Sequence, residues 1–177
     1  NKDTMTAKKY FATSNQLDYE KIIHCEYPQF SEFARTFFYC EDLSTIRLEG
    51  QMAIRSENEI ICFTASQKFN ILAYATSDNV LHIRSLPSLN KSENSARLPG
   101  IPQRILITEA WGFIVVQTVG NLTILTQNGI CIKTILMNYD INYWTTFRSA
   151  SGFDYIIFRH SLNNIYMFEV MYPDKIV

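Results

Sequence analysis

The chain has 177 residues, 16 Lys+Arg against 17 Asp+Glu, and a formal charge of -1 with no long block of either sign. A general nucleic-acid binder needs a clustered basic stripe to neutralise phosphates, so that class falls away. Hydrophobic residues at 47% and aromatic residues at 14% supply a packed core and set the chain apart from disordered sequences. The longest apolar runs, about six to eight residues, fall short of the ~20 of a membrane-spanning helix, and no basic, apolar, small-residue leader opens the sequence.

Taken in chain order, residues 1–58 carry no legible repeat. Phe30, Phe33, Ala34, Phe37 and Phe38 fall at i, i+3, i+4, i+7 and i+8, the spacing of one helix face. Pro28 suits the first turn of such a helix, and Gln29, Glu32 and Arg35 its wet side. A degenerate strand pair rich in phenylalanine is the other reading, since aromatic residues also favour strands. The expectation is a degenerate blade or insertion over 1–58 with a short helix near 28–38.

From Glu59 onward short strands alternate with turn residues. One unit reads Ile60–Phe63, Ile71–Thr76, Val80–Leu86 and Ala96–Leu98; the next reads Arg104–Thr108, Phe113–Thr118, Leu122–Thr126 and Ile130–Leu136. A third reads Ile141–Phe147, Tyr155–Arg159 and Ile165–Val170, with a closing strand near Met171–Ile176. Asp78-Asn79, Gly120-Asn121, Asn128-Gly129 and Asn163-Asn164 mark tight hairpins, because Asn, Asp and Gly tolerate positive φ. The second strand of each unit is apolar on both faces, as a strand covered on both sides should be. The third strand alternates, with Leu81 and Ile83 inward and His82 and Arg84 outward.

These units repeat. Ile71–Thr76, Ser77-Asp78-Asn79 and Val80–Ile83 recur 42 residues later as Phe113–Thr118, Val119-Gly120-Asn121 and Leu122–Leu125. Another 42 on, Tyr155–Arg159 leads through Leu162-Asn163-Asn164 to Ile165–Phe168, whose offset is 43. A period of ~40–45 residues with several short strands per unit signals an all-β fold, a WD-repeat-type β-propeller. Propellers close with ~4–8 blades, so three to four four-stranded blades make a partial ring: about 59–99, 100–138 and 139–177, after the degenerate 1–58. The chain opens on Asn1, and a piece of a longer polypeptide is expected.

Residues able to carry chemistry do not assemble into a motif. Cys25, Cys40, Cys62 and Cys131 are scattered, and His24-Cys25 lacks a second pair at zinc-ligand spacing, so no metal site or cofactor is expected. His24, His82 and His160 have no G-x-S-x-G elbow to serve, and six glycines form no phosphate-cradling loop. Glu41-Asp42 and Glu57-Asn58-Glu59 lack calcium-loop spacing and read as solvated loop charges. Trp111, just before a buried strand and beside Gly112, is expected to pack rather than serve as an exposed recognition residue. No catalytic residue is assigned.

The run Ile105-Leu106-Ile107-Thr108-Glu109-Ala110-Trp111-Gly112-Phe113-Ile114-Val115-Val116 resembles the "ILIT-x-x-WGFIV" motif of the C-terminal WD-type repeats of BEACH-domain proteins, protist ones especially. Thr126-Gln127-Asn128-Gly129-Ile130-Cys131-Ile132-Lys133 is similar to their "T-x-N-G-x-x-I-K" strand, and Trp144–Phe147 with Gly152–Tyr155 to their last blade. The likeness covers about residues 57–172; the Gly-His and Trp-Asp dipeptides of standard WD repeats are absent.

The resemblance implies a non-catalytic, cytoplasmic scaffold of vesicle or lysosomal membrane trafficking or autophagy. It would contact other proteins, and an upstream BEACH domain, with only peripheral membrane association. Propeller geometry places binding on loops such as Ser66–Asn70, Glu109–Ala110 and Ser149–Asp154. The rival readings are a propeller subunit or adaptor of another complex, and, last, a propeller enzyme. An incomplete ring leaves apolar blade faces uncovered, so poor solubility or self-association is expected of the isolated chain.

Overall fold

Alternating strand patterns separated by Asn- and Gly-bearing turns dictate antiparallel meanders, and the computed structural model consists of them. It describes residues 29–31, 36–48, 53–86, 94–137, 143–159 and 165–170, among which there is no helix. A first sheet holds β1 (Gln29–Ser31), β2 (Thr36–Asp42), β3 (Thr45–Leu48) and β4 (Ala53–Arg55). A second holds β5 (Ile60–Ser66), β6 (Ile71–Thr76), β7 (Val80–Ser85) and β8 (Asn94–Arg97). A third holds β9 (Pro102–Ile107), β10 (Ile114–Thr118), β11 (Asn121–Leu125) and β12 (Cys131–Leu136). The fourth holds β13 (Trp144–Arg148), β14 (Asp154–Arg159) and β15 (Ile165–Val170). In each sheet the strands lie side by side in chain order, every pair antiparallel.

The helix expected near 28–38 is corrected: Gln29–Ser31 and Thr36–Asp42 are paired strands, with Phe30 opposite Phe37. Two short aromatic strands reproduce the apolar spacing of a helix face, and cross-strand pairing decides between them. Pro28, His24, Cys25, His160, the Asn163-Asn164 turn and the closing strand near Met171–Ile176 lie outside the described residues.

One offset read from the repeat is corrected: the third strand of the second copy lies 41 residues on, not 42, while the 43 read for the next copy holds. Ala73, Val115 and Ile157 stand 42 apart, yet their cross-strand partners are Ile83, Ile124 and Met167, offset by 41 and then 43. The cause lies in the hairpins. Ser77–Asn79 is a three-residue connection with Asn79 at φ 64, whereas Thr118 pairs with Asn121 around a two-residue turn with Gly120 at φ 76. The slip aligns Leu81 and Ile83 with Leu122 and Ile124, preserving the inward apolar pair.

Three apolar layers separate the four sheets. Ile46 and Ile54 meet Ile60, Phe63, Leu72 and Tyr74 between the first and second sheets. Ala73, Ala75, Leu81 and Ile83 meet Ile105, Ile114, Val116 and Leu125 between the second and third. Val115, Leu122 and Ile124 meet Trp144, Ile156 and Phe158 between the third and fourth. Alternate residues of β6 and β10 thus feed different layers, and all six residues of β6 are buried. Neighbouring sheets touch through their first strands, β1 on β5, β5 on β9 and β9 on β13, so these are the inner edges of the blades. The sheets do not close into a ring.

Candidate functional site

A meander sends its first-to-second connections to one end of every sheet. The loops within Ser66–Asn70, Glu109–Ala110 and Ser149–Asp154 are those connections, so all three gather at one end, near the inner strands. Glu57, Asn58 and Glu59 are exposed between β4 and β5, at the opposite end.

The β9–β10 turn is held by its own backbone and by both neighbours. Thr108, fully buried, donates its N–H to the Phe113 carbonyl (2.9 Å) while its hydroxyl accepts the Phe113 N–H (2.9 Å). From the preceding blade, Lys68 Nζ donates to the carbonyls of Glu109 (2.6 Å) and Ala110 (3.3 Å) and lies 5.1 Å from the Phe69 ring centroid. From the following blade, Asp154 Oδ1 accepts the Ala110 N–H (2.7 Å) and Oδ2 the Trp111 N–H (2.9 Å). Gln127 Nε2 donates to the Trp111 carbonyl (3.2 Å). Asp154 is completely buried, and a carboxylate there needs such charge-assisted bonds to offset its desolvation.

Gly112 is required at this turn. Its φ is +72, and a Cβ would meet Phe69 Cγ at 2.8 Å as well as the Gln127 amide. With the backbone so fixed, the Trp111 side chain is 47% exposed, which corrects the expectation that it packs inward. The tryptophan that does pack is Trp144, 4% exposed, whose Nε1 donates to Gln117 Oε1 (2.5 Å) and whose carbonyl accepts from Arg104 Nη1 (2.7 Å).

Phe69, Trp111 and Phe153 share a position: each stands two residues before the members of the 42-residue series Ile71, Phe113 and Tyr155. Phe69 is half-buried against the Gly112 turn, while Phe153, 40% exposed, neighbours the Asp154 that grips Trp111. One aromatic residue from each of the second, third and fourth sheets therefore stands along this rim, a recurrence present in the sequence but overlooked there.

Beside the row, between the second and third sheets, lies a cleft of about 270 Å³ lined by Phe69, Ile83, Leu86, Asn70, Asn94 and Gln127 among others. Its polar lining is amide and hydroxyl, offering hydrogen bonds rather than acid–base chemistry. His82 is away from it in role: its ring stacks on Tyr74 at 4.8 Å, with Nε2 3.3 Å from Thr76 Oγ1. Among the described residues no group of three His, Cys, Asp or Glu is placed to hold a metal ion.

No family model and no curated protein matches the chain by sequence. Solved structures do match it in shape. Hsv2 of Kluyveromyces lactis gives a TM-score of 0.63 at 9% identity, over 84% of this chain and 49% of that one. BBS1N, solved in complex with ARL6DN, gives 0.62 at 10%, over 75% of this chain and 46% of that one. An Hsv2 variant with loop 6CD replaced by a Gly-Ser linker gives 0.60 at 9%, over 82% and 50%. Identities this low carry the fold alone: the chain is built as blades of a β-propeller. It spans about half the length of the propeller chains it matches.

Proposed function

We propose that this chain is part of a non-catalytic, protein-docking propeller of a BEACH-like scaffold acting in vesicle or lysosomal membrane trafficking or autophagy. It works in the cytoplasm, reaches membranes only peripherally, and contacts other proteins and its own BEACH unit. The observation that carries the docking reading is the rim row Phe69, Trp111 and Phe153, with two exposed aromatics, one of them, Trp111, on a turn clamped from both sides. Aromatic side chains on a preorganised backbone bind with little ordering cost. BBS1N supports a protein partner by precedent, since a propeller of this fold was solved with ARL6DN bound. The trafficking assignment rests on the Trp111-Gly112-Phe113 motif and its neighbours.

The test has two arms. Sequencing the transcript upstream of the Asn1 codon reads for a BEACH domain; a start codon, or further blades alone, would remove the family assignment. Quantitative co-purification then compares the full-length protein with its Trp111→Ala/Phe153→Ala form. Loss of vesicle-traffic partners is expected, with the clamp described above intact because it holds Trp111 by its N–H and carbonyl, which the substitution keeps. Partners retained in full would overturn rim docking.

A further inference from the structure

The cleft beside the rim row opens between the second and third sheets, each of which has both faces covered within the chain, so it is not the bare face of an outermost blade. Its floor is aliphatic: Ile71, Ile83 and Leu86 are buried. Its mouth is amide: Asn70 and Asn128 are exposed and Asn94 is half-buried. Among the described residues these three side chains make no hydrogen bond, and Gln127, which gives its Nε2 to the Trp111 carbonyl, keeps its amide oxygen. No lining side chain carries a charge. The backbone on both sides is fixed. Asn70, at φ 53, donates its N–H to the Gln67 carbonyl (3.1 Å) and accepts the Leu86 N–H (2.7 Å). Across the cleft, Gly129 donates to the Thr126 carbonyl (3.0 Å) and lies so close to β8 that a Cβ there would stand 3.3 Å from the Ser95 carbonyl oxygen.

We propose that this cleft binds an extended, uncharged segment of a partner protein, taking one aliphatic side chain onto its floor while the amides hold the peptide groups on either side. The proposal rests on the docking reading above and names what the docked partner presents. An amide side chain offers donors and an acceptor together, the complement of a peptide group's carbonyl and N–H. In an extended segment successive side chains point to opposite sides, so one enters the cleft while its neighbours point away. At about 270 Å³ the cleft falls below the ~300–1,000 Å³ of pockets that enclose drug-sized ligands, which suits a single anchoring side chain rather than a cofactor. A charged side chain would lose its hydration against Ile71, Ile83 and Leu86 with no counter-charge to meet it. The one ring at the cleft, Phe69, already has Lys68 over it and the Gly112 turn against it, so the lining offers a sugar no free ring to stack on. Trp111 stands one Gln127 hydrogen bond away, and a chain leaving the cleft on that side meets its exposed indole next. Because the mouth is held in place before binding, little ordering cost falls on the protein.

Panning a random dodecapeptide display library on the full chain, then measuring the enriched peptides by fluorescence anisotropy, tests this. The expected core is a short uncharged run around Leu, Ile, Val or Met. Asn94→Asp/Asn128→Asp keeps the side-chain shapes, removes two N–H donor groups and adds charge, and should weaken binding at least about tenfold. On the unmodified chain, a readout free of variant folding, the side-chain amide NMR signals of Asn70, Asn94 and Asn128 should shift as peptide is added. Cores rich in charged residues, no enrichment, an Asp variant that binds as tightly, or unmoved amide signals would each overturn the proposal. Rim docking is scored separately with Trp111→Ala/Phe153→Ala, which keeps the Trp111 carbonyl that Gln127 bonds. Peptides held by the rim variant but lost by the Asp variant sink rim docking alone; the reverse sinks the cleft alone.

Discussion

A single turn shows how this protein converts residue identity into blade order. The Ala110 and Trp111 N–H groups have their acceptor, Asp154, 44 and 43 residues away in the next blade, so the bond exists only when two blades are in place. Asp154→Ala strands two donors beside a site that excludes water, and should cost on the order of 2–4 kcal/mol in urea denaturation. Asp154→Asn, which keeps one oxygen acceptor, should cost less. Gly112→Ala adds left-handed backbone strain of ~1–2 kcal/mol to a contact with Phe69 and Gln127, so a loss of at least about 2 kcal/mol is expected. A loss below about 0.5 kcal/mol in both Ala variants, the range of ordinary surface changes, would mean that the clamp does not hold the turn. The sequence displayed Trp111-Gly112 plainly, but not which way the indole points. That depends on whether a neighbouring blade covers the turn, and here the neighbours grip its backbone instead. Asp154 was equally hidden, because an acid at a strand start resembles a solvated charge until its distant partners are known.

At the level of strands, the apolar runs and the positive-φ turn residues carried the architecture. The bounds of Ile71–Thr76 and Ile165–Val170 follow directly from the sequence pattern, as do the turns at Asn79, Gly120 and Gly129. The third-strand register was not legible, because a two-residue and a three-residue hairpin look alike in a repeat of constant length yet shift pairing by one. Gln29–Ser31 and Thr36–Asp42 misled for a related reason: closely spaced phenylalanines satisfy both periods. Strand position also decides thiol chemistry. Cys62 lies on the inner strand β5, packed against the layer between the second and third sheets, and burial pushes its thiol up to about 12. Cys131 is exposed at the start of the outer strand β12. The thiolate is the reactive form, and a raised pKa keeps Cys62 protonated at pH 8. With a maleimide at pH 8, Cys131→Ser should remove one fast-reacting thiol, while Cys62→Ser should change the fast phase not at all. Rapid labelling of Cys62 in the folded chain would place β5 at the surface.

Across the whole molecule the governing fact is that burial is graded along the chain. Each internal sheet has both faces covered, and its second strand carries the seal on both sides. Ala73, Ala75, Val115 and Val116 are 0% exposed, whereas the first five residues of β15 are all exposed. The blades share apolar layers and cross-blade hydrogen bonds, so opening one internal strand disrupts two interfaces, while opening β15 disrupts part of one. Local opening free energy follows the number of covered faces, from near zero at a bare edge up to the global value in a sealed strand. Hydrogen exchange should therefore be slowest over Ile71–Thr76 and Ile114–Thr118, intermediate over Asp154–Arg159, and fastest over Ile165–Val170. Asp154→Ala should speed exchange in β14 and in the Thr108–Phe113 turn together, because one carboxylate joins them, and leave β6 unchanged. Equal protection across all four segments would show that the sheets unfold as one body, and that covered faces do not set the order in which they open.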